Sequence, residues 1–192
     1  FAEFYRLSVS GIPLRKQCQR KLQSERVFAN ADAKWAAIGR QIKKLHDAGQ
    51  PVLAGTRSIA KSEALTEQLA ELSVPYQVLN GKQDADEADI ISRAGEVGAV
   101  TISTNIAGRG TDIRQSSESL QRGGLYVLAT EHHDSNRIDR QLIGRSARQG
   151  EPGSAAFFLA ADDDLLTRHG DWLSKAISKS KSQKGEVLVD MS

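Results

Sequence analysis

Cysteine is almost absent from this chain. Cys18 is the single thiol among 192 residues, so no internal disulfide can form. One thiol suits a reducing compartment. Long apolar runs are missing too: nothing approaches the roughly 20 residues that a membrane-spanning helix needs. The first residues do not read as a basic-then-apolar leader. Charge of one sign is equally scarce, with 26 Lys and Arg against 24 Asp and Glu. The resulting +2 is too small to argue for a nucleic-acid or membrane surface by itself. No Gly-x-x-x-x-Gly-Lys-Ser/Thr run occurs, so the chain lacks a phosphate-cradling P-loop and its Mg²⁺ ligand. No Asp-Glu pair closes a hydrophobic strand to hold metal and activate water. His46, His132, His133, His169 and Cys18 show no metal-ligand spacing, and no metal site is expected.

What is present is ordinary globular material: 39% apolar and 26% charged residues, in a length that fits one domain or one domain plus an appendage. The chain opens at Phe1, not Met, in strand-like sequence, and reads as a piece of a longer protein. Strand-like runs alternate with helix-length amphipathic segments, which predicts an α/β fold with a mainly parallel sheet. A strand is expected over residues 5–12, stopped by Pro13, followed by a polar, basic connection over 15–26. Asn30 is a good N-cap for a helix to about residue 48, with Trp35, Ile38, Ile42 and Leu45 at helical spacing. Trp35 reads as core. Residues 51–55 form a buried strand. Ser58 caps a helix striped by Leu65, Leu69 and Leu72, residues 76–79 form a strand, and 84–94 a helix.

Residues 99–104 have the β-branched content of a central parallel strand. A polar, glycine-rich loop follows to Asp112, then a solvent loop over 114–122. Residues 124–129 are the next strand, 135–148 a helix and 155–160 a final strand. The run Asp162, Asp163, Asp164 reads as a capping cluster. The tail starts helical and becomes Lys- and Ser-rich over 178–185, which reads as a mobile, solvated extension that could also touch acidic lipid. Trp172 is undecided. Domain boundaries are expected as a strand and linker over 1–29, an α/β domain over 30–167 and a tail over 168–192.

Ligands in open parallel sheets sit beyond the carboxyl ends of the strands. Two unusual polar segments are delivered to that edge. In the first, Gly108 and Gly110 flank Arg109, which lets the backbone approach a ligand closely. The third glycine of a dinucleotide fingerprint is replaced by Ile113, and taken alone the loop could be a plain turn. In the second, Gln141, Arg145 and Arg148 fall at i, i+4 and i+7, so a continuous helix would put them on one face. Gly144 would then lie in the helix interior, at a cost of about 1 kcal/mol against alanine. Such a face is either a solvated basic surface or a fork for an anion.

Together, Ala107-Gly-Arg-Gly-Thr-Asp-Ile113 resembles motif V of the superfamily 2 ATPases, and Gln141-x-x-Gly-Arg-x-x-Arg148 resembles their motif VI. Within that group the match is to the SecA preprotein translocase ATPases. The stretches from Gly49 to Glu63, Val78 to Asn80, Ala99 to Ile113, Gly123 to Leu125, Thr130 to His133 and Arg137 to Asp139 carry it. The opening, Tyr5 to Arg20, resembles the stretch joining SecA's two motor domains. Some positions depart from the family. Arg114-Gln-Ser-Ser117 replaces a Leu-Gly-Gly type run, and the insertion after it is short. His132 stands where an Arg is usual beside His133, and Ala147 and Glu151 replace a common Gly and Asp. After about Thr167 the likeness to the following helical scaffold ends.

The resemblance implies a RecA-like second nucleotide-binding domain without its own P-loop. It assigns Asp112 to the nucleotide ribose region, and Gly108, Arg109 and Gly110 to the nucleotide loop. Arg109, Arg145 and Arg148 fall to the phosphates, with Arg148 as the arginine finger, and Gln141 to coupling nucleotide to domain closure. It implies ATP as cofactor, with Mg²⁺ held mainly by the first motor domain. The implied partners are that domain, the membrane-embedded protein-conducting channel and unfolded preproteins, at the inner face of the cytoplasmic membrane. The isolated chain is expected to be inactive for want of a P-loop. A superfamily 2 nucleic-acid helicase domain is the alternative, against which the near-neutral charge argues. A non-catalytic, nucleotide-dependent binding module is the third reading.

Overall fold

The computed structural model describes residues 2–79, 84–104, 112–169, 182–183 and 186–187. Two buried stripes, one on each face of a sheet, organise the chain. Along the strand Leu125–Ala129, all five residues are buried and their side chains alternate between faces. Tyr126 and Leu128 join one core with Ile38, Ile42, Leu65, Leu69, Ile102 and Phe158. Leu125, Val127 and Ala129 join the other with Leu53, Ile91, Leu142, Ala155 and Phe157. Burial on both faces is what strands flanked by helices on both sides require.

The elements in chain order are α1 (Ala2–Tyr5), β1 (Gln19–Leu22), β2 (Arg26–Phe28), α2 (Ala31–Asp47), β3 (Val52–Thr56) and α3 (Ile59–Glu71). Then come β4 (Gln77–Leu79), α4 (Asp84–Arg93), β5 (Val100–Thr104), α5 (Ser117–Gln121), β6 (Leu125–Ala129) and α6 (Asn136–Ile143). A 3-10 turn (Arg148–Gly150), β7 (Pro152–Ala160), α7 (Asp164–His169), β8 (Ser182–Gln183) and β9 (Glu186–Val187) complete the described chain. The sheet order is β4-β5-β3-β6-β7-β2-β9-β8, and β1 also pairs with β7. Strands β1 to β7 pair parallel with one another, whereas β9 runs antiparallel to β2 and to β8. The carboxyl ends of β5, β3 and β6 therefore stand side by side at the centre of the sheet.

Helices α2 and α3 begin where the sequence predicts. Asn30 accepts the Ala33 N–H at 2.9 Å, and the Ser58 hydroxyl accepts the Lys61 N–H at 3.2 Å. Asp162 accepts the Ala31 N–H at 3.1 Å, so part of the Asp cluster caps α2 across the fold. Asp163 accepts the Ala160 N–H at 2.7 Å and pairs with the ammonium of Lys34, both side chains buried. Lys34, not Trp35, is thus the inward residue at the head of α2, and Trp35 is half-buried at the core's margin.

Three expectations are corrected. Residues 6–18 carry no strand, and residues 2–5 form a helical turn. The pairing goes instead to β1, inside the stretch read as a polar connection, because the nine-residue β7 offers its first half to β1 and its second to β2. The stretch read as a solvent loop contains α5, capped by the Ser116 hydroxyl on the Ser119 N–H, with Ser119 fully buried. In the tail, β8 and β9 form a short antiparallel pair that extends the sheet beside β2, so that part is no free extension.

Candidate nucleotide-binding edge

Helix α6 is set against the sheet by shape. A Cβ placed on Gly55, near the end of β3, would come within 2.5 Å of the Leu142 side chain. Glycine there lets α6 lie close over the carboxyl ends of β3 and β6. The Ser135 hydroxyl opens the helix by accepting the Arg137 N–H at 3.3 Å.

The helix ends at Ile143, five residues before the predicted end. Gly144 is its C-cap, not an interior residue. From there the backbone turns: Ala147 and Gln149 both take φ of +55° and Gly150 takes +78°. Left-handed conformations cannot continue a right-handed helix. The buried Ser146 hydroxyl donates to the Leu125 carbonyl at 2.9 Å and pulls the turn onto the start of β6. Gln141, Arg145 and Arg148 therefore do not share one helix face, and the expected fork from helical spacing is not the arrangement observed.

The charges of Arg145 and Arg148 nevertheless act on one another. Arg145 is half-buried, and burial first, then the charge of Arg148, depresses its pKa. Arg145 and Gln141 line one small crevice with Ser103 and Thr104 at the end of β5. Arg148 donates from Nε to the Gly144 carbonyl at 3.2 Å and from Nη1 to Asp112 Oδ1 at 2.8 Å. The other Asp112 oxygen lies 3.5 Å from Gln149 Nε2. So Asp112, read as a ribose contact, here faces the turn that follows α6. Gly108, Arg109 and Gly110 lie outside the described residues.

Sequence reasoning missed a cluster beside this edge. Asp139, on the first turns of α6, is a hub for both histidines. His132 Nδ1 lies 2.7 Å from Oδ2, and His133 Nδ1 lies 2.6 Å from Oδ1, which also accepts the His133 N–H at 3.0 Å. His132 Nε2 lies 3.0 Å from Glu25 Oε1, and its ring stacks on Phe157 with centroids 4.3 Å apart. The Asp139 bond first, then the Glu25 bond, raise the His132 pKa to about 9 against opposing desolvation. Burial alone would raise the Asp139 carboxyl, but the histidine bonds outweigh it and hold it far below the usual carboxylate range. Nearby, the buried Glu131 takes the Lys61 ammonium at 2.7 Å, and Arg57 pairs with Asp134 at 2.8 Å. The signal was present in the pair of histidines after β6. Its spacing fits no metal site, and carboxylate partners 7 and 107 residues from His132 cannot be found from local pattern.

A family model described as the SecA P-loop domain matches residues 17–119 and 114–185. The protein translocase subunit SecA of Thermosipho melanesiensis is 45% identical over 189 residues, covering 98% of this chain and 22% of that protein. The same subunit of Solidesulfovibrio magneticus is 48% identical over 189 residues, covering 98% and 23%. The chain therefore spans under a quarter of the length of these relatives. Among solved structures, the E. coli DEAD-box protein SrmB, bound to the regulator of ribonuclease activity A, superposes with a TM-score of 0.59. It is 24% identical and covers 79% of this chain and 82% of its own. Domain 2 of the DEAD-box helicase Mss116p, bound to an RNA duplex, gives 0.55 at 18% identity, covering 81% and 60%. At those identities the likeness carries the fold alone, and that fold is RecA-like, a mainly parallel sheet flanked by helices. With the family model matched along most of its length, the chain belongs to the SecA family.

Proposed function

We propose that this chain is the second motor domain of an ATPase that couples ATP binding and hydrolysis to the movement of unfolded preproteins. It would work at the cytoplasmic face of the membrane, with a first, P-loop-bearing motor domain and the protein-conducting channel as partners. The observation that carries the reading is that Arg145 lines a crevice with Gln141 at the carboxyl end of β5, while Arg148, on the turn that follows α6, meets the motif V residue Asp112. Two guanidiniums with no sheet-edge P-loop of their own fit a triphosphate presented from another domain. ATP would supply the anionic phosphoryl group. Arg145 and Arg148 would neutralise it, with Arg148 as the finger, and Asp112, Gln141 and the loop of Gly108, Arg109 and Gly110 would frame the nucleotide. Mg²⁺ would be held mainly by the first motor domain, because this chain offers no Walker-type ligands.

Two measurements test this. In the full-length protein, ATP turnover should rise on adding membranes carrying the channel together with an unfolded preprotein, and RNA should leave it unchanged. Strong, salt-sensitive stimulation by RNA would instead favour the helicase reading. The 192-residue chain alone should bind nucleotide weakly and hydrolyse none. Turnover that survives purification and disappears in Arg148→Ala would overturn that division of labour.

A further inference from the structure

Arg148 is carried by a turn, not a helix, and a turn holds a guanidinium in place only if its backbone is tied from outside. Two such ties come from the N-terminal segment. Arg20 donates from Nε at 3.2 Å and from Nη2 at 3.1 Å to the carbonyl of Ser146. Gln19 donates from Nε2 at 2.7 Å to the carbonyl of Gly150. The two gripped carbonyls lie two residues to either side of Arg148. Between these ties the contact is close, since a Cβ on Gly150 would come within 2.7 Å of Lys16 Cβ.

The gripping strand is itself anchored. Its register runs from Gln19 opposite Pro152 to Leu22 opposite Ala155. Beyond it, the Gln23 N–H donates to the Ala155 carbonyl at 2.9 Å, and the Tyr126 hydroxyl donates to Gln23 Oε1 at 2.9 Å. Upstream, residues 3–18 are exposed throughout. The N-terminal segment is thus fixed to the sheet at one end, grips the turn by side chains, and leads away through exposed chain.

We infer that Arg20 and Gln19 are positioning residues for Arg148, setting the backbone from which the finger reaches the phosphates. This rests on the reading of Arg148 given above. A guanidinium that must meet a phosphoryl group to within a fraction of an ångström loses rate steeply when its backbone shifts. Residues that only hold the fold together would affect stability, not the dependence of rate on Arg148.

The test is a double-mutant cycle in the full-length protein, reading kcat, the KM for ATP and Tm. Arg20→Met keeps most of the aliphatic stem and removes both donors. It should lower kcat by about tenfold with KM changed less than about twofold, because the lost interaction acts on the transition state. In an Arg148→Ala background the same change should have no further effect, since residues acting through one group are not additive. Arg20→Lys should recover part of the rate through a single donor. Gln19→Ala, at an exposed bond, provides a milder variant should Arg20→Met fail to fold, and the same pattern is expected of it. An equal fold-loss in both backgrounds, or a rate that falls only in step with Tm, would reduce the contact to a structural one. Arg148→Ala with unchanged kcat would sink the reading of Arg148 and this inference together. A dead Arg148→Ala beside fully active Arg20 and Gln19 variants would sink this inference alone.

Discussion

Arg148 and Asp112 are 36 residues apart in the chain, and in the fold Arg148 Nη1 lies 2.8 Å from Asp112 Oδ1. Both side chains are partly exposed, so the pair is a modest attraction that a competing anion can displace. Within the reading proposed here, Asp112 holds the guanidinium until a phosphate takes its place.

From this pair comes a first prediction. In the full-length protein, Arg148→Lys keeps the charge but loses the planar fork, and kcat should fall about a hundredfold or more with little change in ATP affinity. Steady-state turnover and equilibrium nucleotide titration separate the two quantities. A near wild-type rate would move the finger assignment to Arg145.

A pH dependence follows from His132, which lies between Glu25 and Asp139 with Phe157 beneath its ring. Its pKa is raised from 6.5 to about 9 in the folded state. The charged ring's contribution is therefore complete below about pH 6.5 and lost as pH rises through about 9. Between those limits the fold should lose on the order of 2 kcal/mol, allowing for solvent screening at a partly exposed ring. Urea denaturation of the chain at pH 6.5 and pH 9.5 measures it. His132→Gln should flatten the difference, and an unchanged slope in that variant would assign the dependence to another group.

Ala147 sits at φ +55° with only 4% of its surface exposed. Alanine there carries about 1–2 kcal/mol of backbone strain. Ala147→Gly should be neutral to mildly stabilising, since relief of strain is partly offset by the lost methyl, about 0.8 kcal/mol. Ala147→Val should destabilise by more than about 2 kcal/mol, because a β-branched side chain meets both the strained φ and a filled site. Thermal melts that rank valine above alanine would contradict the left-handed turn.

The buried pair of Lys34 and Asp163 ties the head of α2 to the chain after β7. Lys34→Met leaves Asp163 buried without its cation and should cost about 3–5 kcal/mol. Adding Asp163→Asn, which can still accept the Ala160 N–H, should recover much of that loss. If the double variant melts no higher than the single, the uncompensated charge is not the cause.

Much of the fold was legible because it rests on local rules. Asn30 and Ser58 cap their helices in the positions their side chains dictate. The apolar run at Leu125–Ala129 is a doubly buried strand because apolar and β-branched side chains without polar alternation leave no solvated face. The candidate arginines were legible as residue types at a motif spacing. Their arrangement was not, because the helix meant to display them stops at Ile143.

By itself, the sequence determined the parallel α/β class, the order of its central elements and that polar segments follow the central strands β5 and β6. Only the tertiary structure decided how those segments meet. The α6 helix gives way to a left-handed turn because Ser146 finds the Leu125 carbonyl, 21 residues away. Asp139 acquires two histidines, and His132 adds Glu25 from the opposite end of the chain. Arg20 reaches Ser146 across 126 residues of sequence. Local propensity follows from neighbours along the chain, whereas a buried donor or charge takes whichever partner the packed sheet brings within hydrogen-bond reach.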